Sequence, residues 1–316
     1  MDTTWDCIVV GGGAAGLSAA LVLGRARRRT LLVDAGAQSN RPAHGIGGLL
    51  GHEGRPPADL YAAGRAELAA LPSVEVRDAV VADGRRDGGR FALSLADGRT
   101  ETARRVLLAT GMDYRPPDLP GVAERWGRSV FHCPFCHGWE VRDLPIGVLD
   151  RGEGGAERAL LLRMWSGDVT LFANGPAELG PEDAERLRAA GVDVEERPVG
   201  ALRGPGDALA EVVFEDGATR ALEGLMVPAP LHQRSDLAAR LGAGAAEATP
   251  VAADPLAVEA GCMTGVPGLF AAGDVTGVMP SVANAIAAGS NAAAFVVRSL
   301  LGEVPELRPA AVRAPA

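Results

Sequence analysis

The sequence contains no lysine, and all 31 of its basic residues are arginines. Without a lysine amine, the protein can use neither Schiff-base catalysis nor the phosphate-binding lysine of a P-loop. Long hydrophobic runs are also missing, since none approaches the length of a membrane span. The net charge of -9 disfavours nucleic acid or an anionic membrane as a partner. We therefore expect a cytoplasmic protein that binds neither nucleic acid nor a membrane.

Cysteine is scarce as well. Of the four cysteines, Cys7 and Cys262 stand alone in apolar segments, whereas Cys133 and Cys136 are separated by only two residues. A zinc site made of four thiolates therefore has no second ligand pair. The isolated Cys-x-x-Cys favours a reversible, redox-active disulfide.

The residues around this pair strengthen the redox interpretation. A zinc site that used His132 and His137 with both cysteines would crowd four ligands into six residues, so we expect no metal. Pro134 favours the first position of a helix, which makes Cys133 the expected N-cap residue. A thiolate there is stabilised by the helix dipole, and a neighbouring histidine either lowers its pKa or accepts its proton.

The N-terminal part of the chain has the pattern of a dinucleotide-binding unit. A buried strand at residues 7–10 leads into a G-x-G-x-x-G turn, a helix at residues 17–25 and a second strand at residues 30–33. The residues of the turn are Gly11, Gly12, Gly13, Ala14, Ala15 and Gly16. Asp34 ends the second strand, where a carboxylate accepts hydrogen bonds from an adenosine ribose. A pyrophosphate would lie at the helix N-terminus.

A small-residue strand at residues 268–272 near the other end of the chain runs into Gly273 and Asp274. A helix of very small residues follows at 282–294. Asp274 can bind a ribityl hydroxyl, and the helix start can direct backbone N–H groups at a flavin edge. Tight packing by alanine and glycine alone also explains this segment.

Four separated motifs resemble those of the low-molecular-weight thioredoxin reductases. In chain order they are the Gly11 turn, Ala109-Thr110-Gly111, the Cys133/Cys136 pair and Gly273-Asp274. The resemblance covers essentially the whole chain. It implies an α/β fold with two Rossmann-like three-layer domains of the FAD/NAD(P)-binding type, the second inserted in the first.

The resemblance also implies FAD as the cofactor and a homodimer. It divides the chain into an FAD-binding domain (residues 1–113 and 247–316) and an inserted domain (114–246) that holds the Cys-x-x-Cys pair. The candidate cofactor-binding residues are Gly11, Gly13, Ala14, Ala15, Gly16, Asp34, Ala35, Asn40, His44, His52, Val80, Ala109, Thr110, Gly111, Gly273, Asp274, Ser281 and Val282. For His44 and His52 we expect a loop position with a hydrogen bond to backbone near the flavin.

The inserted domain departs from the family at its NADPH site. The first glycine of the second nucleotide turn aligns with Asp150, whose carboxylate would repel a pyrophosphate. The basic run that holds the 2'-phosphate is replaced by Ala173-Asn174-Gly175. We therefore expect this domain to keep its fold without binding NADPH.

A second departure follows the cysteine pair, where thioredoxin reductases usually have aspartate and this chain has His137. Imidazole titrates near neutral pH, so His137 can accept a thiol proton and return it. The run from His132 to Glu140 resembles the flavin-dependent dithiol oxidases that close disulfides in natural products such as gliotoxin and holomycin.

That resemblance predicts an FAD-dependent oxidase for a small-molecule dithiol, with O2 as acceptor and H2O2 as product. The predicted catalytic residues are Cys133, Cys136, His137 and His132, beside a small apolar cavity that includes Phe135 and Trp139. The alternatives are a thioredoxin reductase-like enzyme that takes electrons from NADPH or ferredoxin, and a flavin redox sensor without turnover.

Overall fold

The computed structural model describes residues 4–303, so residues 1–3 and 304–316, both assigned to the predicted FAD-binding domain, lie outside it. The strands are β1 (Trp5–Val10), β2 (Thr30–Asp34), β3 (Val74–Asp78), β4 (Val81–Asp87), β5 (Arg90–Leu95), β6 (Thr100–Leu108), β7 (Met112–Tyr114), β8 (Val130–Phe131), β9 (Ile146–Leu149), β10 (Val169–Phe172), β11 (Asp193–Glu195), β12 (Val199–Arg203), β13 (Glu211–Phe214), β14 (Thr219–Ala221), β15 (Gly224–Met226), β16 (Leu231–Gln233) and β17 (Leu269–Ala271). The helices are α1 (Ala14–Arg25), α2 (Pro57–Ala69), α3 (Val122–Arg125), α4 (Pro134–His137), α5 (Gly152–Leu162), α6 (Pro181–Ala189), α7 (Leu237–Arg240) and α8 (Val282–Ser299), with 3₁₀ turns at Asp274–Thr276 and Leu301–Glu303.

The first sheet has seven strands in the order β3-β2-β1-β6-β5-β4, with β17 also paired to β6. Its parallel part (β3, β2, β1, β6 and β17) is extended by the antiparallel meander from β4 to β6. Alternate residues of β1 enter two separate cores, because successive side chains of a strand point to opposite faces. Helices α1, α2 and α8 cover one face, which produces the layered arrangement expected for a Rossmann-like unit.

A second, fully parallel sheet has the order β11-β10-β9-β15-β8. Its strands lie between β6 and β17 in sequence, so this unit is inserted in the first, as predicted. Helices α5 and α6 pack on one face, and the antiparallel sheet β12-β13-β14 packs on the other. The parallel sheet and the layers packed on its two faces agree with the predicted α/β class.

The two crossings between the units form a small antiparallel ribbon of β7 and β16. The return crossing lies earlier than residue 246, the position predicted from the sequence. Leu231 and Leu237 already belong to the core of the first unit. The Gly/Ala-rich segment at 242–248 is therefore a loop within the first unit. Among residues 4–303, no helix is long and apolar enough to span a membrane.

Candidate functional site

One cleft of about 390 Å³ brings the separated sequence motifs together. The predicted residues that line it are Gly11, Gly13, Ala14, Ala15, Asp34, Ala35, Asn40, Val80, Ala109, Thr110, Gly111, His132, Cys136, His137, Gly273, Asp274, Ser281 and Val282. The nucleotide turn therefore lines the same cleft as one residue of the Cys-x-x-Cys pair, Cys136. Gly16, His44, His52 and Cys133 are outside this lining.

The glycines of the nucleotide turn have different steric roles. Gly11 has a positive φ of 109°, and a Cβ there would overlap the carbonyl of Ala109 on the neighbouring strand. Gly16 packs against the carbonyl oxygen of Gly11, which explains why it supports the turn from behind the cleft. Gly12, part of the predicted turn but not among the predicted cofactor-binding residues, lies against Asp34 so closely that a Cβ would overlap its carboxyl group. Gly13 has only Gln38 nearby, at 3.8 Å from a built Cβ.

Asp34 is buried and held by several donors. Its Oδ1 accepts hydrogen bonds from the backbone N–H of Gly12 at 3.3 Å and of Gly36 at 2.9 Å. Its Oδ2 forms an ion pair with Arg65 at 2.6 Å, and Gln38 donates to both oxygens. The carboxylate is therefore fixed at the end of β2, where the ribose acceptor is predicted. Neither Gln38 nor Arg65 was found from the sequence, because each lies outside the turn motif.

At the other end of the cleft, Tyr114 donates a hydrogen bond from its hydroxyl group to Asp274 Oδ2 at 3.3 Å. Burial raises the pKa of Tyr114, so its hydroxyl stays protonated. Burial also raises the pKa of Asp274, while the Tyr114 bond and the charge of Arg234 oppose that shift. Asp274, predicted to bind a flavin group, thus interacts with Tyr114 of β7 and feels the charge of Arg234, which follows β16.

Cys133 and Cys136 form a disulfide, with their Cα atoms 5.4 Å apart. Cys133 is the N-cap of α4, as predicted, but α4 is a single turn, so its dipole contributes little to a thiolate. Gly47 approaches the carbonyl of Cys136, and a Cβ on Gly47 would come within 2.6 Å of that oxygen. Among the described residues, no three side chains of His, Cys, Asp or Glu are grouped to hold a metal ion.

His137 lies against the cleft beside Cys136. Its Nε2 is 3.0 Å from the carbonyl oxygen of Gly127, which can only accept, so Nε2 carries the proton. Its ring stacks on Phe131, with centroids 5.6 Å apart. Burial lowers the pKa of His137, which keeps the ring neutral near pH 7. Nδ1 is buried and has no hydrogen-bond partner within residues 4–303, so an acceptor lone pair is available there.

His132 is held neutral even more strongly. Burial, with a smaller effect of His137, lowers its pKa from 6.5 to about 4. Its ring packs 4.5 Å from that of Tyr114 and 5.7 Å from that of Trp126. A protonated His132 that stabilises the Cys133 thiolate, one of the roles considered above, is therefore not supported at neutral pH.

Four residues expected around the site lie elsewhere. The side chain of His44 is 72% exposed and pairs with Asp207 at 3.1 Å instead of with backbone. His52 faces Arg55 at 3.2 Å. Phe135 and Trp139 are 61% and 64% exposed, so among residues 4–303 they line no enclosed apolar cavity.

The polar side chains of the second nucleotide turn, which follows β9, bond to other groups of the protein. The carboxylate of Asp150 pairs with Arg158 of α5 and accepts a hydrogen bond from the backbone N–H of Arg151 at 2.8 Å. At the position of the missing phosphate clamp, Asn174 accepts a hydrogen bond from the backbone N–H of Val199 at 2.7 Å. Both polar side chains at this turn are therefore already bound within the protein.

Comparison with known proteins assigns the family. The model of the pyridine nucleotide-disulphide oxidoreductases matches residues 5–289. The chain belongs to the pyridine nucleotide-disulphide oxidoreductase family. It is 32% identical to thioredoxin reductase tcpT of Claviceps purpurea over 313 residues, which covers 95% of each chain. Similar solved structures are an oxidoreductase from Agrobacterium tumefaciens (37% identical, TM-score 0.88, 95% of this chain and 100% of that one) and HlmI (38% identical, TM-score 0.89, 96% and 94%).

Members of this family that resemble thioredoxin reductase are FAD flavoproteins, and FAD is the cofactor of this chain. The cleft fits FAD in two respects. Helix α1 begins at Ala14 in the lining, so its unpaired N–H groups face an incoming pyrophosphate. The lining also includes Arg234, whose Nε is buried with no hydrogen-bond partner among the described residues. The chain is thus a flavin-dependent thiol-disulfide oxidoreductase.

Proposed function

We propose that this chain is an FAD-dependent dithiol oxidase that closes an intramolecular disulfide in a small-molecule dithiol. One dithiol and one O2 give one disulfide and one H2O2, so the reaction balances without a pyridine nucleotide. When bound, FAD supplies the two-electron acceptor that dioxygen reoxidises. The residues proposed to hold it are the predicted cofactor residues that line the cleft, without Gly16, His44 and His52.

The observation that best supports an oxidase is the contrast between the two nucleotide turns. The Gly11 turn opens into the cleft, whereas the second turn is occupied by the Asp150–Arg158 ion pair. A pyrophosphate at the second turn would have to displace Arg158 and face the freed carboxylate. Without NADPH, the thiol substrate is the electron source that the Cys133/Cys136 pair supports most directly.

The two cysteines have distinct proposed roles. Cys136 lines the cleft, so it is the sulfur proposed to exchange electrons with FAD, and Cys133 is left to meet the substrate. A substrate thiolate attacks Cys133 Sγ, which forms a mixed disulfide and releases the Cys136 thiolate. The second substrate thiolate attacks the substrate sulfur, which releases the cyclic disulfide and leaves both cysteines reduced.

His137 is the proposed proton acceptor for this exchange. Its neutral ring offers an Nδ1 lone pair that makes no hydrogen bond among the described residues, and the Gly127 carbonyl fixes the ring through Nε2. A neutral imidazole takes a proton from a thiol and later returns it, which is the work of a general base and acid. His132, held neutral by burial, is proposed as an apolar wall of the site.

The second candidate function is a disulfide reductase. The name of the Claviceps purpurea relative favours it, since that protein is called a thioredoxin reductase. An electron donor would then have to reach FAD by a route other than the second turn.

We also propose a homodimer, on the resemblance to thioredoxin reductases alone; light scattering of the purified protein tests it.

An anaerobic reduction experiment distinguishes the two enzymes. FAD-loaded protein is mixed in a stopped-flow instrument with NADPH or with a small dithiol, and flavin bleaching is followed. An oxidase bleaches with the dithiol alone, and readmitted O2 restores the colour with release of H2O2. Fast bleaching by NADPH would contradict the proposal and favour the reductase.

A further inference from the structure

Arg234 is a partly buried cation, with its side chain 24% exposed, that neither the sequence motifs nor the proposed chemistry uses. It follows β16 directly, and β16 pairs with β7 in the ribbon that connects the two units. Its guanidinium lines the cleft together with Gly111 and Asp274. The residue thus reaches the cofactor site from the return crossing, more than a hundred residues from the Gly11 turn.

The position of its guanidinium is fixed at one end. Nη2 donates a hydrogen bond to Ser39 Oγ at 2.7 Å and to the carbonyl oxygen of Met112 at 3.2 Å. The carboxylate of Asp113 lies 3.5 Å from the same nitrogen. These contacts hold the group in one orientation and leave Nε as the donor whose partner is missing.

Nε is fully buried and makes no hydrogen bond within residues 4–303. A buried donor without an acceptor costs free energy, and such groups in folded proteins nearly always have a partner. A Cβ built on Gly111 would lie 4.0 Å from Nε, so Nε is close to this glycine. Gly111 belongs to the cleft, so the missing partner is expected from the cleft side.

The electrostatics of the cleft agree with this direction. The charge of Arg234 lowers the pKa of Asp274 against the effect of burial, yet the two side chains form no ion pair among the described residues. A guanidinium and a carboxylate therefore line the same cleft without touching. FAD has acceptor atoms for Nε–H and hydroxyl donors for Asp274, so it offers each group a partner of the right kind.

We propose that Arg234 is a cofactor-binding residue whose Nε–H donates to an acceptor atom of bound FAD. Because Arg234 also holds Ser39 and Met112 of the first unit, FAD binding and the return crossing are joined through one side chain. The proposal concerns cofactor binding alone, and it stands whether the enzyme is an oxidase or a reductase.

The test is the affinity of the apoprotein for FAD, measured by quenching of flavin fluorescence. Arg234→Lys keeps the charge but removes Nε–H, and Arg234→Gln removes both. We expect the Kd for FAD to rise roughly tenfold to a hundredfold in both variants, the usual effect of losing a hydrogen bond to a charged donor. Arg240→Gln is the matched control, since Arg240 lies outside the cleft and pairs with Asp83 and Asp236.

An unchanged Kd in both Arg234 variants, with a lower melting temperature of the apoprotein, would overturn the proposal and leave Arg234 a purely structural tie. Full affinity in the lysine variant would overturn the assignment to Nε–H. If the variants fail to fold, wild-type protein with ¹⁵Nε-labelled arginine provides the second measurement. Addition of FAD should shift one buried Nε–H resonance, and a spectrum that FAD leaves unchanged would also contradict the proposal.

Discussion

His137 donates a hydrogen bond from Nε2 to the carbonyl oxygen of Gly127 at 3.0 Å, and its Nδ1 is left buried without a partner in the described part of the chain. A neutral imidazole has one donor and one acceptor nitrogen, so this bond fixes the tautomer. The ring is also stacked on Phe131, which restricts its rotation. His137 is therefore a neutral imidazole whose ring orientation is fixed and whose acceptor lone pair is on Nδ1.

Replacement of His137 by alanine should slow flavin reduction by a dithiol about a hundredfold, the usual contribution of a positioned acid-base group. The measurement is the rate of anaerobic flavin bleaching. His44→Ala is the control, because the His44 side chain is 72% exposed and lies outside the cleft. Since burial lowers the pKa of His137, the wild-type rate should persist below pH 6.5 and fall only as pH drops through that lowered value. An unchanged rate in His137→Ala, with a large loss in His132→Ala, would assign the base to His132.

The burial of His132 should make the protein less stable in acid. The unfolded chain takes up a proton at this residue near pH 6.5, but the folded chain does so only near pH 4, so protons favour the unfolded state between these values. The free energy of unfolding of the apoprotein should fall by about 3 kcal/mol over that range because of His132.

His132→Phe keeps an aromatic ring beside Tyr114 and Trp126 and removes the titration. Urea unfolding of both proteins at pH 6.5 and pH 4 gives the comparison. The free energy of unfolding of the wild type, relative to that of the variant, should fall by about 3 kcal/mol between pH 6.5 and pH 4. Parallel pH profiles would mean that His132 does not titrate in this way.

The cysteines should be distinguishable by what they trap. With Cys136→Ser, the Cys133 thiolate should attack an added linear disulfide, which forms a mixed disulfide on Cys133 and releases one thiol, and no second thiol at the site is present to displace the adduct. Mass spectrometry of peptides locates the adduct. Cys133→Ser should abolish exchange while FAD stays bound, because a hydroxyl group is a poor partner for sulfur. An adduct found on Cys136 in the Cys133→Ser protein would reverse the two roles.

The nucleotide turn offers a matched pair of glycine variants. Gly12→Ala should lower the free energy of unfolding of the apoprotein by about 1–3 kcal/mol, because the added Cβ overlaps the carboxyl group of Asp34. Gly13→Ala meets only Gln38 at 3.8 Å, so it should change stability by less than about 0.5 kcal/mol.

Gly13 nevertheless lines the cleft, and its Cβ would take space that the FAD pyrophosphate needs. We therefore expect Gly13→Ala to raise the Kd for FAD at least tenfold while the apoprotein stays folded. Fluorescence titration and chemical unfolding give the two numbers. Normal FAD affinity in Gly13→Ala would show that the pyrophosphate lies elsewhere.

Local patterns in the sequence were sufficient for the elements that border the site. The strand, turn and helix from Trp5 to Arg25 follow from a run of apolar residues, three glycines and an amphipathic stretch, all within one segment. The N-cap position of Cys133 follows from Pro134 beside it. These predictions succeeded because hydrophobic periodicity and the backbone limits of glycine and proline act over a few residues.

The tertiary structure determined the protonation states of the site residues. It also determined which residues distant in sequence join the site. Burial against Tyr114 and Trp126 makes His132 neutral, and the carbonyl of Gly127 selects the tautomer of His137. Arg234 meets Ser39 across 195 residues of sequence. A pKa depends on desolvation and on partners that come together only when the chain folds, so no local pattern contains it. The motifs determined which chemical groups are present, and the packing determined which of them carry a proton, a charge or an unsatisfied donor.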